Sequence, residues 1–233
     1  MSTNQTKPAT HRKIEYSFAF EDRKPWNYIL EFDESHTLIP KDQSAAKDWT
    51  KLEFEKCSNC PLSNEEHKQC PVARNLDDIV EDSKDTISCK QAKITVRTEE
   101  RTIFNECGTQ DGLRSLFGVV MASSGCPHLD WFKPLARFHL PFADTDETLF
   151  RVLAMELLYQ YFDKNEEKGQ SVAESIQIKY GEIQKVNHAF IERIRSYCNA
   201  DADKNALASL DVFAQMFEFH QMSEFSSLRP YFE

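Results

Sequence analysis

An α+β fold is what this chain predicts, on three observations. Hydrophobic alternation of period two at residues 14–30 and 92–107 reads as two β-hairpins, the period changes to 3.6 from about residue 109 onward, and no helical pattern separates paired strands as a parallel sheet requires. The expected layout is a set of N-terminal antiparallel hairpins with a Cys-rich metal-binding loop, packed on a C-terminal helical bundle. Residues 1–12 read as a disordered polar tail, 13–107 as the β-rich region with the Cys-rich knuckle and 108–233 as the helical region, the last two forming one compact unit.

Taken in order, Ile14, Tyr16, Phe18 and Phe20 share one face of a strand, Glu21 to Lys24 makes a polar turn, and Trp26, Tyr28 and Leu30 resume the alternation. A third short strand over Leu52 to Phe54 would deliver the chain to its cysteines. The second hairpin sets Ile94 and Val96 on one arm against Thr102 and Phe104 on the other, turning at Glu99-Glu100-Arg101. Leu113, Leu116, Phe117, Val120 and Met121 then form a helical stripe, with Thr109 as N-cap and Gly125 as the stop. A second helix opens at Asp144 to Asp146. Its apolar positions, Leu149, Phe150, Val152, Leu153, Leu157, Leu158 and Tyr161, run nearly all round, the pattern of a helix at the centre of a bundle. Ser171 and Glu174 form a capping box, from which Ile176, Tyr180, Ile183, Phe190, Ile194 and Tyr197 carry a long helix to about Cys198. Leu207, Leu210, Phe213, Ala214 and Phe217 mark a further helix, and Ser223 to Glu233 a short helix and tail.

With 233 residues, 40% of them hydrophobic, the chain can bury a sizeable core. Acids outnumber bases 38 to 28, for a net charge of −10, and the bases gather into no stripe, which excludes nucleic acid and anionic membrane surfaces as partners. No apolar run reaches the roughly 18 residues that span a bilayer, and the first thirty residues lack a signal-peptide core, so a cytoplasmic location is expected. Seven cysteines in a reducing compartment read as ligands, buried small residues or reactive thiols rather than disulfides.

Two close pairs, Cys57-Ser-Asn-Cys60 and His67-Lys-Gln-Cys70, hold three thiols and an imidazole. A two-residue gap lets both side chains of a pair converge on one centre, and tetrahedral zinc sites are commonly built from two such pairs on tight turns. Cys57, Cys60, His67 and Cys70 are therefore the expected ligands of a structural zinc. Cys89, Cys107 or Cys126 would complete the sphere if His67 is instead a loop residue. Four thiolates, several followed by proline as in Cys60-Pro61, Cys70-Pro71 and Cys126-Pro127, also suit an iron–sulfur cluster, although the C-x2-C-x9-C spacing fits no ferredoxin pattern.

A second constellation is Ser124-Gly125-Cys126-Pro127-His128 with Arg137-Phe138-His139-Leu140-Pro141-Phe142. A thiol at a helix N-terminus has its pKa lowered, so Cys126 is expected as a thiolate. Paired with His128 or His139 it would serve as a nucleophile, with Arg137 holding an anionic substrate. The plainer reading makes Cys126 and His128 packed junction residues and 137–142 a rigid loop. Glu147 and Arg151, one turn apart, read as a surface ion pair. Glu156, set in an apolar helix, needs a cation such as Arg137 or Arg151. The polar patch at Asn187 and His188 reads as an interhelical hydrogen bond.

The motifs Cys57-x-x-Cys60-Pro61-Leu62, Cys70-Pro71-Val72-Ala73, Ser124-Gly125-Cys126-Pro127-His128 and Ala136-Arg137-Phe138-His139-Leu140-Pro141-Phe142 together resemble an uncharacterised bacterial family, over about residues 14–230. The resemblance implies a small bacterial protein and brings no reaction with it. The leading expectation is a zinc-binding protein that acts through a protein partner or small effector. The alternatives are a Cys/His-dependent enzyme centred on Cys126, His128 and His139, or an iron–sulfur or redox-responsive regulator.

Overall fold

The computed structural model describes residues 11–40, 47–162, 171–198, 205 and 227–233. It is α+β: a four-stranded antiparallel sheet built from the N-terminal half, and five α-helices among the described residues, four of them C-terminal to the sheet.

Strands β1 (Arg12–Ala19) and β2 (Trp26–Phe32) form the first hairpin, and β3 (Gln91–Arg97) and β4 (Thr102–Gly108) the second, giving the order β2-β1-β3-β4. Register follows from the alternation. Ile14 faces Leu30 and Tyr16 faces Tyr28 across the first hairpin, while Tyr16 faces Val96 and Phe18 faces Ile94 across the central pair. All of these side chains are buried on one face of the sheet. Phe104, expected to pair inward, is instead 60% exposed, because β4 is the sheet edge and its inward positions are Ile103, Asn105 and Cys107. At the other end, Arg12 belongs to β1 rather than to the polar tail: it is buried, and its guanidinium donates to the Ala136 carbonyl at 3.1 Å. His11 of the expected tail is tied down as well, its amide donating to the Phe32 carbonyl at 2.8 Å, and residues 1–10 lie outside the described residues.

Between β2 and β3 the structure departs from expectation twice. The strand expected at Leu52 to Phe54 is a run of turns held by a single bridge between Lys51 and Gln69, since Leu52 is pulled inward while Glu53 and Glu55 alternate with nothing to pair against. Helix α1 (Pro71–Ser83) begins directly after Cys70, inside the region read as β-rich. Its apolar face, Val72, Ala73, Leu76, Ile79 and Val80, has helical spacing, and Pro71 sits in the first turn, where a missing amide costs nothing.

Helix α2 (Thr109–Ala122) covers the centre of the sheet with Leu113, Leu116, Phe117 and Val120. Its N-cap is Gly108 rather than Thr109; the Thr109 hydroxyl donates to the Lys90 carbonyl, tying the helix start to β3. The helix ends at Ala122, and Gly125, at φ +83°, makes the turn that follows. Short helix α3 (Lys133–Arg137) leads to α4 (Thr145–Phe162) and α5 (Val172–Tyr197). The Ser171 capping box forms as expected: its hydroxyl accepts from the Glu174 amide, and the Glu174 carboxylate accepts from the Ser171 amide.

Helix α4 is not buried all round. Val152, Met155 and Glu156 are buried, whereas Phe150, Leu157, Leu158, Tyr161 and Phe162 are at least half exposed, so it lies on the flank of the helical layer. The helix expected over 207–217 lies outside the described residues; of the C-terminal segment, residues 229–231 form a single 3-10 turn. Among the described residues no helix is long and apolar enough to cross a membrane.

Candidate functional site

Three segments meet at the seam between the sheet-and-α1 layer and α5, and together they bring four cysteines. Cys57 and Cys60 lie on one tight turn, closed by the Cys60 amide donating to the Cys57 carbonyl at 3.0 Å. Cys70 caps α1 and donates its amide to Thr50 at 2.8 Å. Cys126 begins the turn after α2, where its carbonyl accepts from the amides of Leu129 and Asp130. The Cys57 thiol interacts electrostatically with Cys70 and Cys60, and the Cys126 thiol with Cys70 and Cys57. Electrostatic reach thus links Cys57, Cys60, Cys70 and Cys126. His67 is exposed on the intervening loop, Cys89 is exposed, and the charged neighbours of Cys107 are Asp111 and Arg114 rather than thiols.

Hydrogen bonds between neighbouring side chains and backbone stitch these turns together. His128 Nε2 lies 2.7 Å from the Asn59 carbonyl, joining the Cys126 turn to the Cys57–Cys60 turn. The Asn59 amide group donates onward to the Glu182 carbonyl at 3.0 Å and its carboxylate at 2.8 Å, on α5. Buried Arg193, also on α5, donates to the carbonyls of Trp49, Lys51 and Leu52, and its positive charge interacts with Cys70, Cys57 and Cys60. Among the described residues Arg193 forms no close carboxylate ion pair, and a buried cation is costly unless its charge is offset. The groups within its electrostatic reach that can carry negative charge are Cys70, Cys57, Glu55 and Cys60.

Burial pushes the Cys57 thiol up to about 11, reinforced by Cys70 and Cys60 and only partly offset by Arg193. Cys126 is pushed up to about 12 by burial and by Cys70 and Cys57, although the amides of His128 and Leu129 donate to it. This overturns the expectation of a helix-activated Cys126 thiolate: enclosure outweighs the amide donors of a single turn. Among the described residues, no three His, Cys, Asp or Glu side chains are closed to the spacing of one bound ion.

The proposed enzyme residues go to different places. His139 is not with Cys126; its Nε2 meets the Tyr16 hydroxyl at 2.5 Å beneath the helical layer, and burial together with Arg151 and Arg12 holds it down at about 3, hence neutral. Arg137 stacks on Phe138, with its guanidinium carbon 5.3 Å from the ring centre. Nor do Glu147 and Arg151 form an ion pair. Glu147 caps α4 by accepting from the Asp144 amide, and Arg151 donates to the carbonyls of Leu135 and Phe138 at 3.0 and 2.8 Å. Glu156 has its cation, but it is Lys179 of α5 at 2.8 Å, joined by the Trp131 indole and the Ser175 hydroxyl, rather than either arginine.

Sequence reading missed Arg193, although a charged residue three places after Phe190 on an apolar stripe is a detectable signal. The recurring Cys-Pro step could have singled out Cys126, because Cys89, Cys107 and Cys198 lack it.

Comparison with known proteins finds no match among curated proteins or solved structures. Residues 14–233 match one family model, so the chain belongs to the family described as a domain of unknown function, DUF6901.

Proposed function

We propose that the protein holds a metal centre through the thiolates of Cys57, Cys60, Cys70 and Cys126, and that this centre clasps the Cys-rich loop and α1 to α5. The observation that supports it is the approach of four cysteines from three segments of the chain, three of them within electrostatic reach of the buried Arg193 guanidinium. A divalent ion displaces the thiol protons and leaves a four-thiolate complex with net negative charge, which Arg193 offsets. With four protein ligands and no open position, zinc here is structural. The reading sets the protein in a bacterial cytosol, where thiols stay reduced.

A second reading has its own observation. Tetrahedral zinc needs sulfurs about 3.8 Å apart, from Zn–S bonds of about 2.3 Å. No three candidate ligand side chains among the described residues are so closed, whereas an iron–sulfur cluster spreads its thiolates over different irons. Elemental analysis of full-length protein purified anaerobically tests both. Stoichiometric zinc supports the first, and iron with acid-labile sulfide and absorbance near 400 nm the second. Metal-free protein with four freely alkylated thiols overturns both. Under either reading Cys126→Ser loses metal while His67→Ala retains it.

A further inference from the structure

A cavity of about 840 Å³ is lined chiefly by residues of α2, α3, α4 and α5. Its size is that of a small-molecule site. Most of the wall is apolar, with Val119, Leu129, Phe132, Val152 and Ile183 among its residues, and a few polar groups converge on it.

Three observations define what it would take. Arg151 lines the cavity, spends one guanidinium nitrogen on two backbone carbonyls and forms no carboxylate ion pair among the described residues. Arg114 lines it too, with Asp111 at 3.9 Å as its carboxylate neighbour among the described residues. The lining carboxylate, Asp144, is already engaged in capping α4, accepting from the Glu147 amide at 2.8 Å. The third observation is Asn187. It is 3% exposed and lines the cavity, a carboxamide in a mostly apolar wall, where the sequence predicted an interhelical bond. A polar group in such a wall favours a ligand that brings a hydrogen-bonding partner.

We propose that this cavity binds a small amphipathic carboxylate, its head group held by Arg151 with Asn187 as a second donor, and its hydrocarbon body against the apolar wall. Arginine suits a carboxylate because its planar fork matches both oxygens. The site stands independently of the metal centre and would bind whether zinc or an iron–sulfur cluster sits behind it.

Gly118 supplies the test. It lines the cavity from α2, and a Cβ built there meets nothing within 4 Å among the described residues, so a larger side chain starts into open space. Titration calorimetry on the full-length protein would use decanoate, acetate and decyltrimethylammonium as probes. Decanoate is expected to bind saturably, with acetate and the cation each weaker by about tenfold or more, since each lacks one half of the recognition. Arg151→Gln should weaken decanoate about tenfold. Gly118→Leu should abolish binding while raising Tm, because it also removes a helix-interior glycine. Equal binding of decanoate and decyltrimethylammonium, no binding of decanoate, or undiminished binding by Gly118→Leu would overturn the proposal. Should Arg151→Gln fail to fold, the probe comparison and Gly118→Leu still decide it.

Discussion

The Arg193 guanidinium donates a hydrogen bond to the carbonyl oxygen of Trp49 at 2.5 Å, joining two residues 144 positions apart. The same group reaches Lys51 at 2.8 Å and Leu52 at 3.3 Å, and lies over the Phe54 ring. One side chain of α5 thus satisfies the backbone of the irregular segment that precedes the cysteines, which has no ladder of its own.

Replacing Arg193 by methionine keeps most of the packing and removes every donor. Three carbonyls lose their partner, at about 1 to 3 kcal/mol for each one that water cannot reach. Arg193→Met is therefore expected to destabilise the fold by about 3 kcal/mol or more, measured by urea unfolding, and to weaken metal retention because the counter-charge is gone. Arg193→Lys should rescue little, since one ammonium cannot span the carbonyls. A methionine variant as stable as the parent would show that the segment is held by something else.

The elements that could be read ahead are those whose signal is local. Both hairpins, α2, α4 and the capping box of α5 follow from alternation, helical stripes and a four-residue motif, and each formed close to its expected limits. What escaped depends on the relative placement of elements distant in sequence. Glu156 announced its need for a cation, but only the pairing of α4 with α5 decides that Lys179 meets it and Arg151 does not. In the same way Cys57, Cys60 and Cys70 stood out by spacing, whereas the approach of Cys126 requires α2 to lie across the sheet and return its C-terminal end beside α1. Helix α1 was overlooked because the cysteine spacing drew the reading toward turns, although its apolar positions are as regular as those of α2.

The proposed metal centre predicts that removing its ion loosens the seam. Structural metal sites contribute on the order of 10 kcal/mol, and a loss of even about 4 kcal/mol lowers Tm by roughly 10 °C for a chain of this size. Treatment with a chelator under reducing conditions is expected to lower Tm by at least that much and to expose Cys57 and Cys126 to alkylation, while much of the β-sheet signal in circular dichroism persists because the sheet is closed by its own ladder. An unchanged melting curve after complete metal loss would remove the clasp from the account.

His139 makes stability depend on pH in a calculable direction. Its folded-state value, about 3, lies below the ordinary 6.5, through burial first and then Arg151 and Arg12. Between these values the unfolded chain binds a proton that the folded protein does not, so stability is fully present above about pH 6.5 and falls as pH drops toward 3, by up to about 1.4 kcal/mol per unit. From pH 7 to 5 the expected loss from this residue is about 2 kcal/mol. His139→Gln retains a partner for the Tyr16 hydroxyl but does not titrate, so its urea midpoint should fall less over the same interval. Parallel losses in the two proteins would mean that His139 is free to protonate in place.

Helix α2 lies close against the sheet at Gly112. A Cβ placed there lies 2.2 Å from Ile94 Cδ1 and 2.6 Å from Phe18 Cε1, both on buried side chains at the centre of the sheet. Neither neighbour has free volume to retreat into, because Ile94 and Phe18 are themselves paired across β1 and β3 and enclosed by α2. Gly112→Ala improves helix propensity by up to about 1 kcal/mol, yet overpacking costs about 1 to 3 kcal/mol. The contact distances are short enough that overpacking should win. The expected result is a net loss of stability, in opposition to the gain at Gly118 on the same helix. Measured side by side by thermal melting, the two glycines separate a position that the fold requires to be small from one that only leaves a cavity open; a stabilised Gly112→Ala would mean that α2 can lift from the sheet without cost.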